Sequence, residues 1–111
     1  MSNIFPEPIK KLPEIEIDLD GLKTHLIQAK DCQIVFMEFT KQVDIPEHFH
    51  ESQWEIVLEG KVDLYLNGSM KTYSKGDRFF IPKDVKHSAK VYAGYASIAY
   101  FNQKDRYKIK K

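Results

Sequence analysis

Residues 45–60, IPEHFHESQWEIVLEG, carry the most informative pattern in this sequence of 111 residues. His48 and His50 lie two residues apart, and side chains two apart on an extended strand point to the same face. Two imidazoles on one face can begin a binding site for Zn, Fe, Ni, Cu or Mn. A solvated pair of surface histidines is the alternative that this stretch leaves open.

A second stretch, residues 76–87 with the sequence GDRFFIPKDVKH, predicts a turn, a short apolar strand, a proline-marked turn and then a histidine. Taken in order, the two stretches resemble the two sequence motifs of the cupin superfamily. The first motif is matched by His48, His50, Gln53 and Gly60, with glutamine in the place of the family's glutamate. The second is matched by Gly76, Pro82 and His87, while Asp84 replaces a glycine and Val91 an asparagine.

This resemblance implies an all-β, single-domain jelly-roll barrel of the cupin type. It also implies that a divalent transition metal, Zn, Ni, Fe or Mn, is bound by His48, His50, Gln53 and His87. Only two residues separate His50 from Gln53, one fewer than the usual minimum. Glu51 and Glu55 are therefore alternative oxygen ligands.

Glu55 shares strand parity with Gln53, so both side chains are expected on the same face. An inward carboxylate near a metal can act as a general acid or base. The alternative is a carboxylate paired with an inward lysine or arginine. The chain also resembles the cupins that linearise unsaturated uronates, in which an aspartate and an arginine near the last strand assist proton transfer. Here Arg106 is present, but Ala99 stands at the aspartate position.

A metal held by neutral ligands keeps its positive charge and favours an anionic partner. We therefore expect a small-molecule anionic ligand, and a metal-dependent enzyme that transfers protons on a keto acid, a hydroxy acid or a sugar-derived acid. Two alternatives stay open at this point. One is a non-haem metal dioxygenase, and the other is a cupin that binds a small molecule without catalysis.

The composition sets limits on the partners of this chain. A formal net charge of +1 provides no basic field for nucleic acid, and no apolar run is long enough to cross a bilayer. Cys32 is the only cysteine, which is typical of a reducing compartment, so we expect a cytoplasmic protein.

Many short strands with regular turn signals, and no amphipathic helix, predict a β-sandwich or barrel over residues 14–101. Its first strand is expected at residues 14–19, and Asn67-Gly68 predicts a type I′ hairpin. Phe36, Phe39 and Phe101 are expected inside the barrel, and Trp54 on its outer face.

The two ends of the chain are expected to lie outside the barrel. Residues 1–13 contain three prolines and should form an arm without helix or central strand, whereas residues 102–111 should leave as an exposed polar tail. Because the apolar side chains of the arm and the open sheet edges need cover, we expect a homodimer.

Overall fold

The computed structural model describes residues 4–110; residues 1–3 and 111 lie outside the description. The regular structure of the described residues is almost entirely strand. In chain order the elements are α1 (Glu7–Lys10), β1 (Leu22–Gln28), β2 (Gln33–Phe39), β3 (Val43–His48), β4 (Gln53–Glu59), β5 (Lys61–Leu66), β6 (Ser69–Ser74), β7 (Arg78–Ile81), β8 (His87–Val91) and β9 (Ala96–Phe101).

The strands form two antiparallel sheets, ordered β1-β2-β9-β4-β7 and β3-β8-β5-β6. β9, the last strand of the chain, lies between β2 and β4 in the middle of the five-stranded sheet. Apolar side chains from both sheets pack into one core. This architecture confirms the prediction of an all-β jelly roll.

Alternation along the strands decides which side chains enter that core. In β5, Val62 and Leu64 are buried in the core whereas Tyr65 is exposed. The hairpin after β5 turns at Asn67 and Gly68, whose φ angles of 49° and 78° are those of a type I′ turn. The sequence predicted this turn, and the structure confirms it.

The N-terminal arm contains a helical turn, α1, so the prediction that it is free of helix is wrong. Pro8 lies in the first turn of α1, where a proline has no helical hydrogen bond to lose. Phe5 is buried and meets the ring of Phe36 edge-on at 5.6 Å. The described part of the arm therefore covers a part of its own barrel.

Residues 14–19 do not form the predicted strand. Ile15 makes an isolated antiparallel bridge with Ile109, and the Lys110 N–H donates to the Glu14 carbonyl at 2.8 Å. The tail does not leave the barrel as predicted, because its backbone pairs with residues 14–16, but most of residues 102–110 are exposed as predicted. The amide of the fully buried Gln33 both donates to the Tyr107 carbonyl at 2.8 Å and accepts from the Tyr107 N–H at 3.0 Å.

Phe36 does not point into the barrel, which corrects one of the three expected interior aromatics. Phe36 and Phe39 are three residues apart on β2, and an odd spacing puts them on opposite faces. Phe39 and Phe101 do line the interior cavity. Among the described residues, no helix is long and apolar enough to span a membrane.

Candidate metal centre

An irregularity in β3 brings His48 to the interior. Ile45 and His48 are three residues apart, so an uninterrupted strand would place them on opposite faces. The pairing of β3 with β8 shifts register between these two residues. Pro46 lies in this interval and has no N–H for the ladder. As a result both Ile45 and His48 face the same cavity.

The other two histidines come from β8 and from the loop that follows β3. His87 is the register partner of His48 across the β3–β8 pair. His50 lies beyond the end of β3, and its carbonyl accepts a hydrogen bond from the Asp84 N–H at 3.0 Å. The two sequence motifs are therefore joined directly at this point.

His48, His50 and His87 form a compact cluster. Their ring centroids are 4.3–5.1 Å apart, and one ligand atom from each ring lies within 4.8 Å of the others. Neutral imidazole is a good ligand for divalent transition metals. The cluster can therefore hold such a metal, as the spacing of the two motifs predicted.

Hydrogen bonds fix which nitrogen each ring can offer. The Nδ1 atoms of His48, His50 and His87 lie 2.9, 2.6 and 2.9 Å from the carbonyls of Pro46, Glu51 and Val85. A carbonyl only accepts, so each Nδ1 carries the proton and each Nε2 keeps its lone pair. The Nε2 of His50 is buried and has no hydrogen-bond partner among the described residues. These donors fit a metal ion.

Burial favours the neutral form of two of these histidines, His50 and His87. It lowers the pKa of His50 to about 4, and it also lowers the pKa of His87. The Arg106 guanidinium and the neighbouring histidines act in the same direction. A neutral imidazole is the form that binds a metal, so the lowered pKa values of His50 and His87 favour metal binding at neutral pH.

The cluster lies in a cavity of about 90 Å³ between the two sheets. Most of the wall is apolar, and the polar part consists of the three histidines with Gln53, Glu55, Tyr95 and Arg106. The structure thus brings His48, His50, Gln53, Glu55, His87 and Arg106 to one cavity. The alternative ligand Glu51 is not among the lining residues and pairs with Lys83 at 3.6 Å. The metal-ligand role of Gln53 and the catalytic roles of Glu55 and Arg106 stay predictions.

Glu55 is buried and both of its oxygens accept hydrogen bonds. The Gln53 Nε2–H donates to Oε1 at 2.7 Å, and the Tyr95 hydroxyl donates to Oε2. Burial raises the pKa of Glu55, and these bonds oppose the shift. Burial and the nearby carboxylate raise the pKa of Tyr95, so its hydroxyl keeps the proton that it donates.

Arg106 reaches the cavity from the folded-back tail. Its guanidinium carbon lies 4.5 Å from the ring centroid of Tyr107 and 5.9 Å from that of Phe101. Its Nε is buried without a hydrogen-bond partner, and no carboxylate within residues 4–110 forms a salt bridge with it. A cation held against aromatic faces with a free donor is suited to an anionic ligand.

Sequence reasoning did not connect Tyr95 with Glu55, and it missed Tyr107. Tyr95 follows a turn at Gly94 and is 40 residues from Glu55, so strand parity could not relate the two. Tyr107 lies in the segment that was expected to be exposed. The only signal available was an apolar aromatic among the polar residues of the tail.

Comparison with known proteins agrees with this geometry. Residues 35–93, more than half of the chain, match the sequence model of the cupin domain family. The chain belongs to the cupin superfamily. Among solved structures, an RmlC-like cupin from Shewanella frigidimarina shares 31% identity with this cupin at a TM-score of 0.72, over 85% of this chain and 86% of that one.

Two further solved structures show the same fold at lower identity. KdgF from Halomonas sp. has a TM-score of 0.69 at 21% identity, over 82% of this chain and 87% of that one. Oxalate decarboxylase from Bacillus subtilis, described with Mn(II) centres, has a TM-score of 0.71 at 15% identity and matches 87% of this chain but 29% of its own. These two likenesses concern the fold alone.

Proposed function

We propose that this cupin is a small metal-dependent enzyme that moves protons on a small anionic keto acid, hydroxy acid or sugar-derived acid, as an isomerase or a lyase. The observation that carries the proposal is the cluster of His48, His50 and His87 at one cavity with the unpaired Arg106. A metal on neutral ligands beside a free guanidinium makes this end of the cavity positive. Such a site favours an anion.

Separate residues of the cavity would bind the metal and the substrate. His48, His50 and His87 would hold the metal, and Gln53 would add its amide oxygen because its N–H groups face Glu55. When bound, the metal would act as a Lewis acid that polarises a carbonyl of the substrate. Arg106 would bind and orient the substrate carboxylate through its unpaired donors.

Glu55 is the proton carrier that the sequence predicts, and it lies on the wall of the same cavity. The apolar side chains around it, such as Phe39 and Leu64, would exclude water from the reacting carbon. General acid–base assistance of this kind typically contributes about 10²–10⁴-fold to a rate.

The metal part of the proposal is tested by elemental analysis of the purified protein. One transition-metal ion per chain is expected, and the double variant His48→Ala, His50→Ala should lose it because two of the three imidazoles are gone. His25→Ala is the matched control, since the His25 ring contacts the Leu12 carbonyl outside the cluster. Full metal content in the double variant would contradict the site.

The reaction is tested with the metal-loaded protein and a set of keto acids and unsaturated uronates. Incorporation of solvent deuterium, followed by NMR, should occur with at least one acid, and Arg106→Gln should raise its KM. Consumption of oxygen without proton exchange would replace this proposal with a dioxygenase. Tight binding of an acid without any turnover would replace it with a binding protein.

A further inference from the structure

The buried trio formed by Gln53, Glu55 and Tyr95 contains polar groups that the proposed mechanism does not fully use. All three side chains are at most 8% exposed. Gln53 and Glu55 point inward from β4, and Tyr95 enters from the turn before β9. Buried polar groups that are fully hydrogen-bonded to one another hold fixed orientations.

The direction of each hydrogen bond in the trio follows from its chemistry. Both oxygens of Glu55 accept, one from the Gln53 amide at 2.7 Å and one from the Tyr95 hydroxyl. An amide side chain ends in one N–H₂ group and one oxygen, which point in different directions. When the N–H₂ group of Gln53 faces Glu55, its oxygen therefore points away from Glu55. With Glu55 as acceptor, the Gln53 oxygen is the atom left for the cavity.

The backbone around Tyr95 is held on several sides. Its carbonyl accepts from the Phe39 N–H at 2.8 Å, and its N–H donates to the Tyr92 carbonyl at 3.1 Å. Gly60 lies so close that a Cβ there would be 2.8 Å from the Tyr95 backbone nitrogen. The Tyr95 hydroxyl therefore approaches Glu55 from a rigid support.

We propose that Glu55 and Tyr95 are positioning residues, which hold the Gln53 amide with its oxygen toward the histidine cluster and so make glutamine an effective metal ligand. This inference rests on the proposed metal site and assigns a different primary role to Glu55. A glutamine ligand otherwise has two nearly isosteric orientations, and only one of them offers an oxygen. Residues that orient a metal ligand typically change metal affinity by about 10–100-fold when they are replaced.

Metal affinity, measured by competition with a chelator, and the visible spectrum of the Co(II)-loaded protein provide readouts that do not depend on activity. Glu55→Gln offers an N–H₂ as well as an oxygen to Gln53, and Tyr95→Phe removes one support from Glu55. Both should weaken metal binding by about 10–100-fold and change the Co(II) spectrum. Tyr92→Phe is the matched control, because the Tyr92 hydroxyl donates to Asp63 away from the cavity.

An exchange of the two side chains provides the rescue. In the double variant Gln53→Glu, Glu55→Gln, the amide at position 55 can accept from Tyr95 and donate to the carboxylate at position 53. The second oxygen of that carboxylate then faces the cluster. The double variant should recover the metal affinity that Glu55→Gln loses, whereas Gln53→Ala should weaken metal binding with Glu55 intact.

The outcomes separate this inference from the proposed function. If Glu55→Gln and Tyr95→Phe keep wild-type metal affinity and Co(II) spectrum, the positioning role is wrong. Loss of proton exchange in the same Glu55→Gln protein would then leave Glu55 as the acid or base of a working enzyme. If the wild-type protein binds no metal, both the proposed function and this inference fail. Wild-type thermal unfolding of Tyr95→Phe would exclude a general loss of structure.

Discussion

Asp84 adopts a left-handed backbone conformation, with φ of 62°, three residues before His87. Cupin motifs have glycine at this position, and the conformation gives a physical reason, because glycine enters this region without strain. Aspartate is one of the few other residues that tolerate it. The Asp84 N–H also holds the His50 carbonyl, so this turn supports one wall of the site.

We expect Asp84→Val to lower the free energy of unfolding by about 1–2 kcal/mol, because a β-branched residue is strained in this conformation. Asp84→Gly should change the free energy of unfolding by less than about 1 kcal/mol. Glycine relieves the backbone strain of the folded state, but it also raises the conformational entropy of the unfolded chain, and the two effects oppose each other. Urea unfolding measures both variants. Lys86→Val, at an exposed neighbour without positive φ, is the control. Equal losses from Asp84→Val and Lys86→Val would contradict the argument.

At the scale of elements, the outer face of the four-stranded sheet has its own polar cluster. The Asp63 carboxylate on β5 accepts from the Thr72 hydroxyl of β6 and from the Tyr92 hydroxyl, each at 2.6 Å. These hydrogen bonds, with Lys61 and Lys90 nearby, hold the pKa of Asp63 below its ordinary value. The cluster ties β5 to β6 and to the end of β8.

A carboxyl with a lowered pKa stabilises the fold above its unfolded pKa, about 3.9, and this contribution is lost as the pH falls through the lower folded value. Asp63→Asn should therefore lower the free energy of unfolding by about 1 kcal/mol at pH 7. At a pH low enough to protonate Asp63, the variant and the wild type should be nearly equally stable. Thermal unfolding between pH 2 and pH 7 measures the difference from wild type. Asp44→Asn, an exposed position on β3, is the control. A difference independent of pH would contradict the assignment.

Local patterns predicted most of the elements and missed those whose partners are far away in the sequence. The Asn67-Gly68 pair placed the hairpin between β5 and β6, and the motif spacing identified His48, His50 and His87. The pairing of Ile15 with Ile109 could not be predicted, because an isolated bridge is too short to produce a sequence pattern that indicates which distant residue it pairs with. For the same reason the sequence did not relate Tyr95 to Glu55, and parity within β4 indicated only that Glu55 faces inward.

At the scale of the whole molecule, one row of apolar side chains crosses the outer face of the five-stranded sheet. Strand register aligns these residues from one edge to the other, in the order Ile27, Ile34, Tyr100, Trp54 and Phe80. Trp54 and Phe80 are 40% and 56% exposed. A two-fold axis parallel to β9 would set Trp54 opposite Ile34 and Phe80 opposite Ile27 of a second copy, matching large side chains with smaller ones.

We therefore propose that the expected homodimer forms through this row. Sedimentation at micromolar concentration should show a dimer for the wild type and a monomer for the double variant Trp54→Lys, Phe80→Lys, because the charges would be buried in the interface. Met70→Lys, on the exposed face of the other sheet, should leave the dimer intact. A monomeric wild type would contradict the dimer, and a dimeric double variant would contradict the row.

The central place of β9 has a consequence for synthesis on the ribosome. The strands β2 and β4 both pair with β9, so a nascent chain that has not yet released residues 96–101 carries two open inner edges. Open edges invite pairing with other chains. A chain ending at Tyr95 should therefore accumulate in inclusion bodies, whereas the full chain of 111 residues keeps both pairings and should remain in the supernatant after centrifugation. A soluble, folded 1–95 fragment would show that the sheet closes without its last strand.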